Sequence, residues 1–264
     1  MAELALEATG VRKTYSKNGQ AFEILDVEQF TVRDGEFITV IGPSGCGKST
    51  FLHIVGGFIK AEAGSIRVHG REVSGPGPDR GMMFQEFALF PWKTVAGNVA
   101  WGLEQKNFTK EQITEIVGKY LEMMGLAEFG NHYPAELSGG MKQRVALARV
   151  LAIDPEVLLM DEPFGALDSQ TREVMQEELI RLWERTGKTI VFVTHDIEEA
   201  VFLGDRVVVL TARPGRIREE VRIALPRPRD LTIKKSAQCH EYRNYIWDLI
   251  RAEAGSSDRP SSPR

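Results

Sequence analysis

The chain has 264 residues, 42% of them hydrophobic and 27% charged, with a formal net charge of −4. This supports one globular domain with an ordinary core, or one domain with a subdomain, and argues against a general nucleic-acid binder, which would show a basic surface. No run approaches the length of a membrane span, about 18 apolar residues, and the acidic start MAELALEATGVRK lacks the character of a signal peptide. The chain is expected to stay in the cytosol. Cys46 and Cys239 form no framework and read as free thiols.

Leu4 to Thr9 and Phe22 to Val32 read as two short strands around the polar turn Ser16-Lys17-Asn18-Gly19, an antiparallel edge layer. Phe37 to Ile41 is a continuous apolar β-rich run, as expected of a strand covered on both faces. It leads into Gly42-Pro43-Ser44-Gly45-Cys46-Gly47-Lys48-Ser49-Thr50, which matches the phosphate-loop spacing G-x-x-x-x-G-K-[ST]. A helix over 50–55, stopped by Gly56-Gly57, completes the strand–loop–helix context. In such a loop, successive backbone N–H groups curl around phosphate oxygens and the helix N-terminus favours negative charge. Lys48 reaches the β- and γ-phosphates, and the Ser49 hydroxyl can ligate Mg²⁺. A glycine-rich turn that binds nothing is the alternative, and the flanking strand and helix count against it.

Ser65 to Val68 is a short strand, Gly75 to Arg80 a turn-rich connection, and Met82-Met83-Phe84 a buried strand delivering Gln85. Aromatics follow at Phe87, Phe90, Trp92 and Trp101, and residues 109–129 show helical spacing through Ile113, Val117, Leu121 and Met124. This stretch, about 87–155, is expected to form a helical subdomain. At its end Ser138 is placed as an N-cap before Gly139 and Gly140, with Met141, Val145, Ala148 and Ala152 on one face. The run Val157 to Met160 ends at Asp161-Glu162-Pro163. Residues 169–186 read as a helix with Gln176, Glu177, Glu178 and Arg181 outward, and Thr189 to Val193 as a strand ending at Thr194-His195-Asp196.

Strands alternating with helices imply an α/β fold with a mainly parallel sheet, whose ligand groups collect beyond the strand C-termini. Lys48, Gln85, Asp161, Glu162 and His195 all fall there. The segment 206–235 carries nine Lys/Arg against three Asp/Glu around the turn Arg213-Pro214-Gly215-Arg216. It reads as a solvated rim, or as a face attracted to an anionic bilayer. Tyr242, Tyr245, Ile246, Leu249 and Ile250 have amphipathic helical spacing. The organisation expected is a phosphate-loop domain over 1–235, a C-terminal helix over 236–254 and a disordered tail over 255–264.

The ordered set GPSGCGKST, Gln85, LSGGM, VLLMDEP, ALD and His195 resembles the nucleotide-binding subunit of ATP-binding-cassette transporters over about residues 4–225. The phrases GPGPDRGMMFQEFALFPWKTVAGNVAWGLE, TARPGRI and LPRPRD resemble the nitrate, sulfonate and taurine importer subgroup. The resemblance implies a phosphate-loop ATPase core with an antiparallel β edge layer and an inserted α-helical subdomain. It implies that Tyr15 stacks on adenine, that Gln85 touches Mg²⁺ and the attacking water, and that Asp161 holds Mg²⁺ through water. Glu162 would be the general base and His195 would contact the γ-phosphate. Ser138, Gly139 and Gly140 would serve the ATP of a second copy, with Asp168 running across the dimer interface. Met141 stands where the commonest pattern has glutamine, so a polar contact to ribose is lost.

The implied partners are a second cassette, integral membrane permease subunits docking near Phe87 to Trp101, and indirectly a periplasmic substrate-binding protein, on the cytoplasmic face of the membrane and without nucleic acid. A soluble cassette ATPase acting on DNA or ribosomes is the competing reading, but neither a coiled-coil insertion nor a second cassette occurs in the chain. Cys46, inside the phosphate loop, is expected to make the protein sensitive to alkylation unless nucleotide covers it. His53, His69, His132 and His240 read as structural or surface residues.

Overall fold

A computed structural model describes residues 3–17 and 19–256. Two sheets organise the chain. In the first, β1 (Leu4–Lys17), β2 (Gln20–Arg33), β4 (Ala63–Val68) and β5 (Arg71–Glu72) lie in the order β2-β1-β4-β5. The second contains β3 (Phe37–Ile41), β6 (Arg80–Met83), β7 (Val157–Asp161), β8 (Thr189–Val193), β9 (Arg206–Leu210) and β10 (Ile217–Arg222), ordered β10-β9-β3-β8-β7-β6. β9, β3, β8, β7 and β6 are mutually parallel, and only the edge pair β9–β10 is antiparallel. Every residue of β3, β7 and β8 is buried. That explains why these segments are uninterrupted Val/Ile/Leu/Phe runs rather than alternating ones.

The first layer is one long hairpin rather than two short strands. β1 and β2 pair from Leu4↔Arg33 to Lys17↔Gln20, with a register shift between Lys13 and Thr14. Polar side chains on the outward face and Gly10 break the apolar alternation that marks a strand in sequence, while the backbone ladder continues through them. Asn18, in the expected turn, lies outside the described residues.

The helices are α1 (Lys48–Val55), α2 (Val95–Glu104), α3 (Lys110–Met123), α4 (Gly139–Ala152), α5 (Ser169–Thr186), α6 (Ile197–Leu203) and α7 (Ala237–Ser256). α2, α3 and α4 pack on one another, and their apolar residues Val99, Leu121 and Val145 join those of β7 and α5 in one continuous core. α3 is shorter than the spacing over 109–129 suggests. Gly125 adopts φ +64, which stops the helix, and Ala127–Phe129 is a separate 3₁₀ turn.

Two side-chain assignments are corrected by the packing, one on α5 read as outward and one on α7 read as part of the apolar face. Gln176 on α5 is 2% exposed. Its amide donates to Glu199 Oε1 at 2.9 Å, and Lys234 Nζ donates to its Oε1 at 2.9 Å. Burial pushes the Glu199 carboxyl up. Tyr245, placed with the docking face of α7, is exposed and donates from its hydroxyl to Glu219 at 2.6 Å, while Tyr242, Ile246, Leu249 and Ile250 pack inward.

The basic segment 206–235 is not simply a solvated or bilayer-facing rim. Arg206 pairs with Glu36 at 2.8 Å, and Arg227 pairs with Asp205 at 2.9 Å and stacks 4.4 Å over Trp183. Arg229 is buried and donates to Val201 O, Phe202 O and Gly204 O at 3.2, 2.9 and 2.8 Å. Those carbonyls end α6 with no intrahelical donor, so the guanidinium acts as its C-terminal cap. α7 runs to Ser256, and residues 257–264 of the expected tail lie outside the described residues.

Candidate active site

β3 delivers the phosphate loop directly into α1. Gly47 sits at φ +98, and a Cβ there would lie 3.0 Å from Leu25, so glycine is required on both conformational and steric grounds. Phe51 N–H donates to Gly47 O at 2.8 Å, starting the helix, while Cys46 N–H closes a turn on Pro43 O at 3.3 Å. The Lys48 ammonium is buried and donates to Gly42 O at 2.8 Å and Pro43 O at 3.1 Å.

The neighbouring strands bring the acidic pair and the histidine to the same end of the sheet. Ser49 Oγ donates to Asp161 Oδ1 at 2.9 Å. Asp161 is 5% exposed, and burial raises its carboxyl above the usual aspartate range, against the lowering effect of the Ser49 hydrogen bond. Glu162 adopts φ +43, an uncommon conformation for a residue with a side chain. Its N–H donates to Val193 O at 2.9 Å and its carbonyl accepts from Gly165 N–H at 3.1 Å. This turn aims the carboxylate at His195, whose Nδ1 lies 2.9 Å from Glu162 Oε2. His195 is held between the end of β8 and the N-cap of α6, where Asp196 accepts from Glu199 N–H at 3.1 Å.

Tyr15, Ser44, Gly45, Gly47, Lys48, Ser49, Thr50, Glu162 and His195 line a single cavity of 500 Å³. Ile24 completes the wall beside Tyr15. The lining combines an aromatic ring, a loop of N–H donors with an ammonium, and a carboxylate–imidazole pair, the kinds of group that the base, phosphates and attacked phosphorus of a nucleoside triphosphate call for. The residues also fit a small divalent cation. Ser49 and Asp161 supply hard oxygen donors, and a cation beside a buried carboxylate would offset the desolvation that raises its pKa.

Other expected residues fall elsewhere. Gln85 follows β6 but is exposed and outside the lining of this cavity; the strand stops at Met83, one residue earlier than read. Ser138 caps α4, its Oγ accepting from Met141 N–H at 3.3 Å. Ser138 and Gly139 face solvent away from the cavity, and Gly140 lies against Thr171, where a Cβ would stand 2.8 Å from Cγ2. Asp168 caps α5, accepting from Thr171 N–H at 3.0 Å, which holds its carboxyl below the usual range. Within one chain that carboxylate is committed to its own helix.

Cys46 is only 1% exposed, and burial raises its thiol pKa despite the nearby Lys48 charge. Burial thus weighs against the expected sensitivity to alkylation, since it covers the thiol and shifts it away from the reactive thiolate. His53 was read only as a structural or surface residue, and its place beside the acidic pair was missed. Its Nε2 lies 3.6 Å from Asp161 Oδ2, and its ring packs beside Phe58 and Phe84. The available signal was its position four residues after Ser49 on the same helix face. Asn98 was also missed. Buried in α2, it accepts from Phe90 N–H at 2.8 Å and donates to Phe90 O, Lys93 O and Thr94 O, fixing the aromatic segment.

A phosphate loop after a central parallel strand, with a carboxylate pair and a histidine on adjoining strands, defines a phosphate-loop ATPase. The sequence pattern of the ABC transporter family matches residues 25–165, and the chain belongs to that family of ATP-hydrolysing cassettes. It is 45% identical over 253 residues to the nitrate import ATP-binding protein NrtD of Synechocystis sp., covering 93% of this chain and 95% of that protein. It is 50% identical over 202 residues to the taurine import ATP-binding protein TauB of Pelagibacter ubique, covering 76% of each. Among solved structures, the dimeric post-hydrolysis state of the ATP-binding cassette MJ0796 bound to ADP and Pi superposes with a TM-score of 0.73 at 34% identity, over 84% of this chain and 100% of that one.

Proposed function

We propose that the chain is the ATP-hydrolysing subunit of a membrane importer and that it works as a pair of cassettes. The observation that carries the catalytic part is the meeting of Lys48, Ser49, Glu162 and His195 at one end of the parallel sheet, around a cavity that Tyr15 also lines, with Asp161 bonded to Ser49 behind it. Tyr15 stacks on the adenine. The loop N–H groups from Ser44 to Thr50 and the Lys48 ammonium bind the phosphates. Ser49, Asp161 through water, and Gln85 are the residues that would hold Mg²⁺, and the cation would neutralise charge on the phosphates. Glu162 accepts a proton from water as its oxygen attacks the γ-phosphorus in line, the bond to the β-phosphate oxygen breaks and ADP leaves with phosphate, while His195 orients the carboxylate and contacts the γ-phosphate.

Ser138, Gly139 and Gly140 lie outside this cavity at a helix start that faces solvent, which suits them to the γ-phosphate of an ATP on a second copy. The dimeric cassette structure of MJ0796 bound to ADP and Pi supports a working pair of cassettes. Met141 leaves these contacts in place. The names of NrtD and TauB, which refer to nitrate and taurine import, support a small anion such as nitrate, a sulfonate or taurine as the transported solute. Among the described residues no helix is long and apolar enough to cross a membrane, so on this reading the pore belongs to permease subunits, and a periplasmic binding protein acts through them.

An apolar groove of 320 Å³ lined by Phe58, Phe84, Phe90 and Trp101 is where a permease segment would seat. Trp92, 73% exposed, stands beside Phe90 at 5.8 Å. The test is gentle detergent extraction of membranes from cells that make the tagged chain with the permease encoded beside it. Co-purification of that permease and stimulation of ATPase by it are expected. ATPase stimulated instead by DNA or ribosomes, with no permease retained, would overturn the importer reading.

A further inference from the structure

The turn between β9 and β10 presses on the outer side of the phosphate loop. Gly215 packs so closely that a Cβ there would lie 2.1 Å from Cys46 O. Its N–H donates to Ile24 O at 2.8 Å and its carbonyl accepts from Asp26 N–H at 3.1 Å, so the turn is stitched to β2, which carries one wall of the ATP cavity. Arg213 Nε donates to Gly45 O at 3.2 Å, and its guanidinium fills the space beside the Gly45 Cα, where a Cβ would meet Nη2 at 2.8 Å.

The turn is itself stiff. Thr211 Oγ1 donates to Pro214 O at 2.7 Å and accepts from Arg216 N–H at 3.0 Å, while Arg216 pairs with Asp26 at 2.8 Å. From behind, Glu253 of α7 accepts from Ala212 N–H at 3.4 Å and pairs with Arg218. None of these side chains reaches the cavity.

We infer that Arg213 and Gly215 are positioning residues for nucleotide binding: they hold the Gly45–Cys46 peptide, whose N–H closes the loop's turn on Pro43 O, and the Cys46–Gly47 peptide after it, so that the phosphate loop keeps the curl that presents its remaining N–H groups to phosphate. A nest of N–H donors binds an anion well only if its peptide planes are held before the anion arrives. The Gly45 and Cys46 carbonyls point away from the cavity toward the turn, and a donor on Gly45 O fixes that peptide's rotation. Loss of the clamp lets the peptide rotate, so the cost falls on binding rather than on the chemical step. This rests on the phosphate loop being the ATP site.

The experiment measures ATP affinity by fluorescent-nucleotide displacement, steady-state kcat and KM, and melting temperature on the full chain for Arg213→Ala, Arg213→Lys and the control Lys48→Ala. Loss of one hydrogen bond to the loop should weaken ATP binding by about three- to tenfold in Arg213→Ala, with kcat at saturating ATP within about twofold of the parent. Lys can still donate to Gly45 O, so Arg213→Lys should recover most of that loss. If Arg213→Ala does not fold, Arg213→Gln is read in its place by the same criteria. Unchanged affinity in the Arg213 variant, or a fall confined to kcat, overturns the inference when Lys48→Ala loses ATP. Normal ATP binding by Lys48→Ala would instead overturn the assignment of the ATP site itself.

Discussion

Glu162 Oε2 and His195 Nδ1 meet at 2.9 Å, although 33 residues separate them in the chain. Adjacent parallel strands β7 and β8 end level with each other, with Asp161 opposite Val193. The left-handed turn at Glu162 then directs its side chain toward the imidazole. On the mechanism we propose, Glu162 would take the proton from the attacking water while His195 holds its carboxylate in place.

Glu162→Gln keeps the side-chain shape and an acceptor for His195 but removes the base. ATP affinity should stay near that of the parent while turnover falls by roughly 10²- to 10⁴-fold. Size-exclusion chromatography with ATP should show the variant accumulating as a nucleotide-bound dimer. A fully active, monomeric variant would refute the base assignment.

Asp161→Asn separates cation binding from folding. The folded carboxyl has its pKa above the ordinary aspartate value of 3.8 because it is buried. Ionising it therefore carries a penalty, absent below about pH 3.8 and fully present above the raised folded value. The amide avoids that penalty and still accepts from Ser49. Without nucleotide the variant should melt no lower than the parent, while Mg²⁺-dependent ATPase falls on the order of 10- to 100-fold. Differential scanning fluorimetry and a Mg²⁺ titration of activity check the two halves.

Thiol labelling should be slow and indifferent to ATP. Cys46 and Cys239 are both buried, and burial raises both thiols. Reaction with an aromatic disulfide reagent should follow unfolding, with two thiols released at once in denaturant. Rapid native labelling that ATP prevents would restore the expectation drawn from the loop sequence.

Asp168 carries a pH dependence of the opposite sign to Asp161. The Thr171 N–H holds its carboxyl below 3.8, so its stabilisation of α5 is present above pH 3.8 and is lost as pH falls through the lowered folded value. Asp168→Asn preserves the cap and removes the titration. Denaturant curves of parent and variant should show the parent's relative stability falling in acid, and identical pH profiles would refute the capping role.

The phosphate loop, the acidic pair and the helix start at Ser138 were legible in the chain because each is a local device. A glycine spacing, an apolar run ending in carboxylates and an N-cap depend on residues near one another in sequence. The alternation of buried strands and helices likewise announced a parallel sheet. Strand order is different: it depends on which apolar faces meet, and it alone brings Ser49 to Asp161 and Glu162 to His195. Burial also reversed assignments that composition suggested. Gln176, Arg229 and Cys46 are polar or reactive residues whose character in sequence is that of surface or site, yet packing places them inside. His53 and Arg213 gain their positions beside Asp161 and Gly45 only through the packing of α1 and the β9–β10 turn. By itself, then, the sequence determined the local apparatus for binding phosphate. The tertiary structure decided which side chains face one another across it, because contacts between distant segments follow from burying whole faces and not from any local spacing.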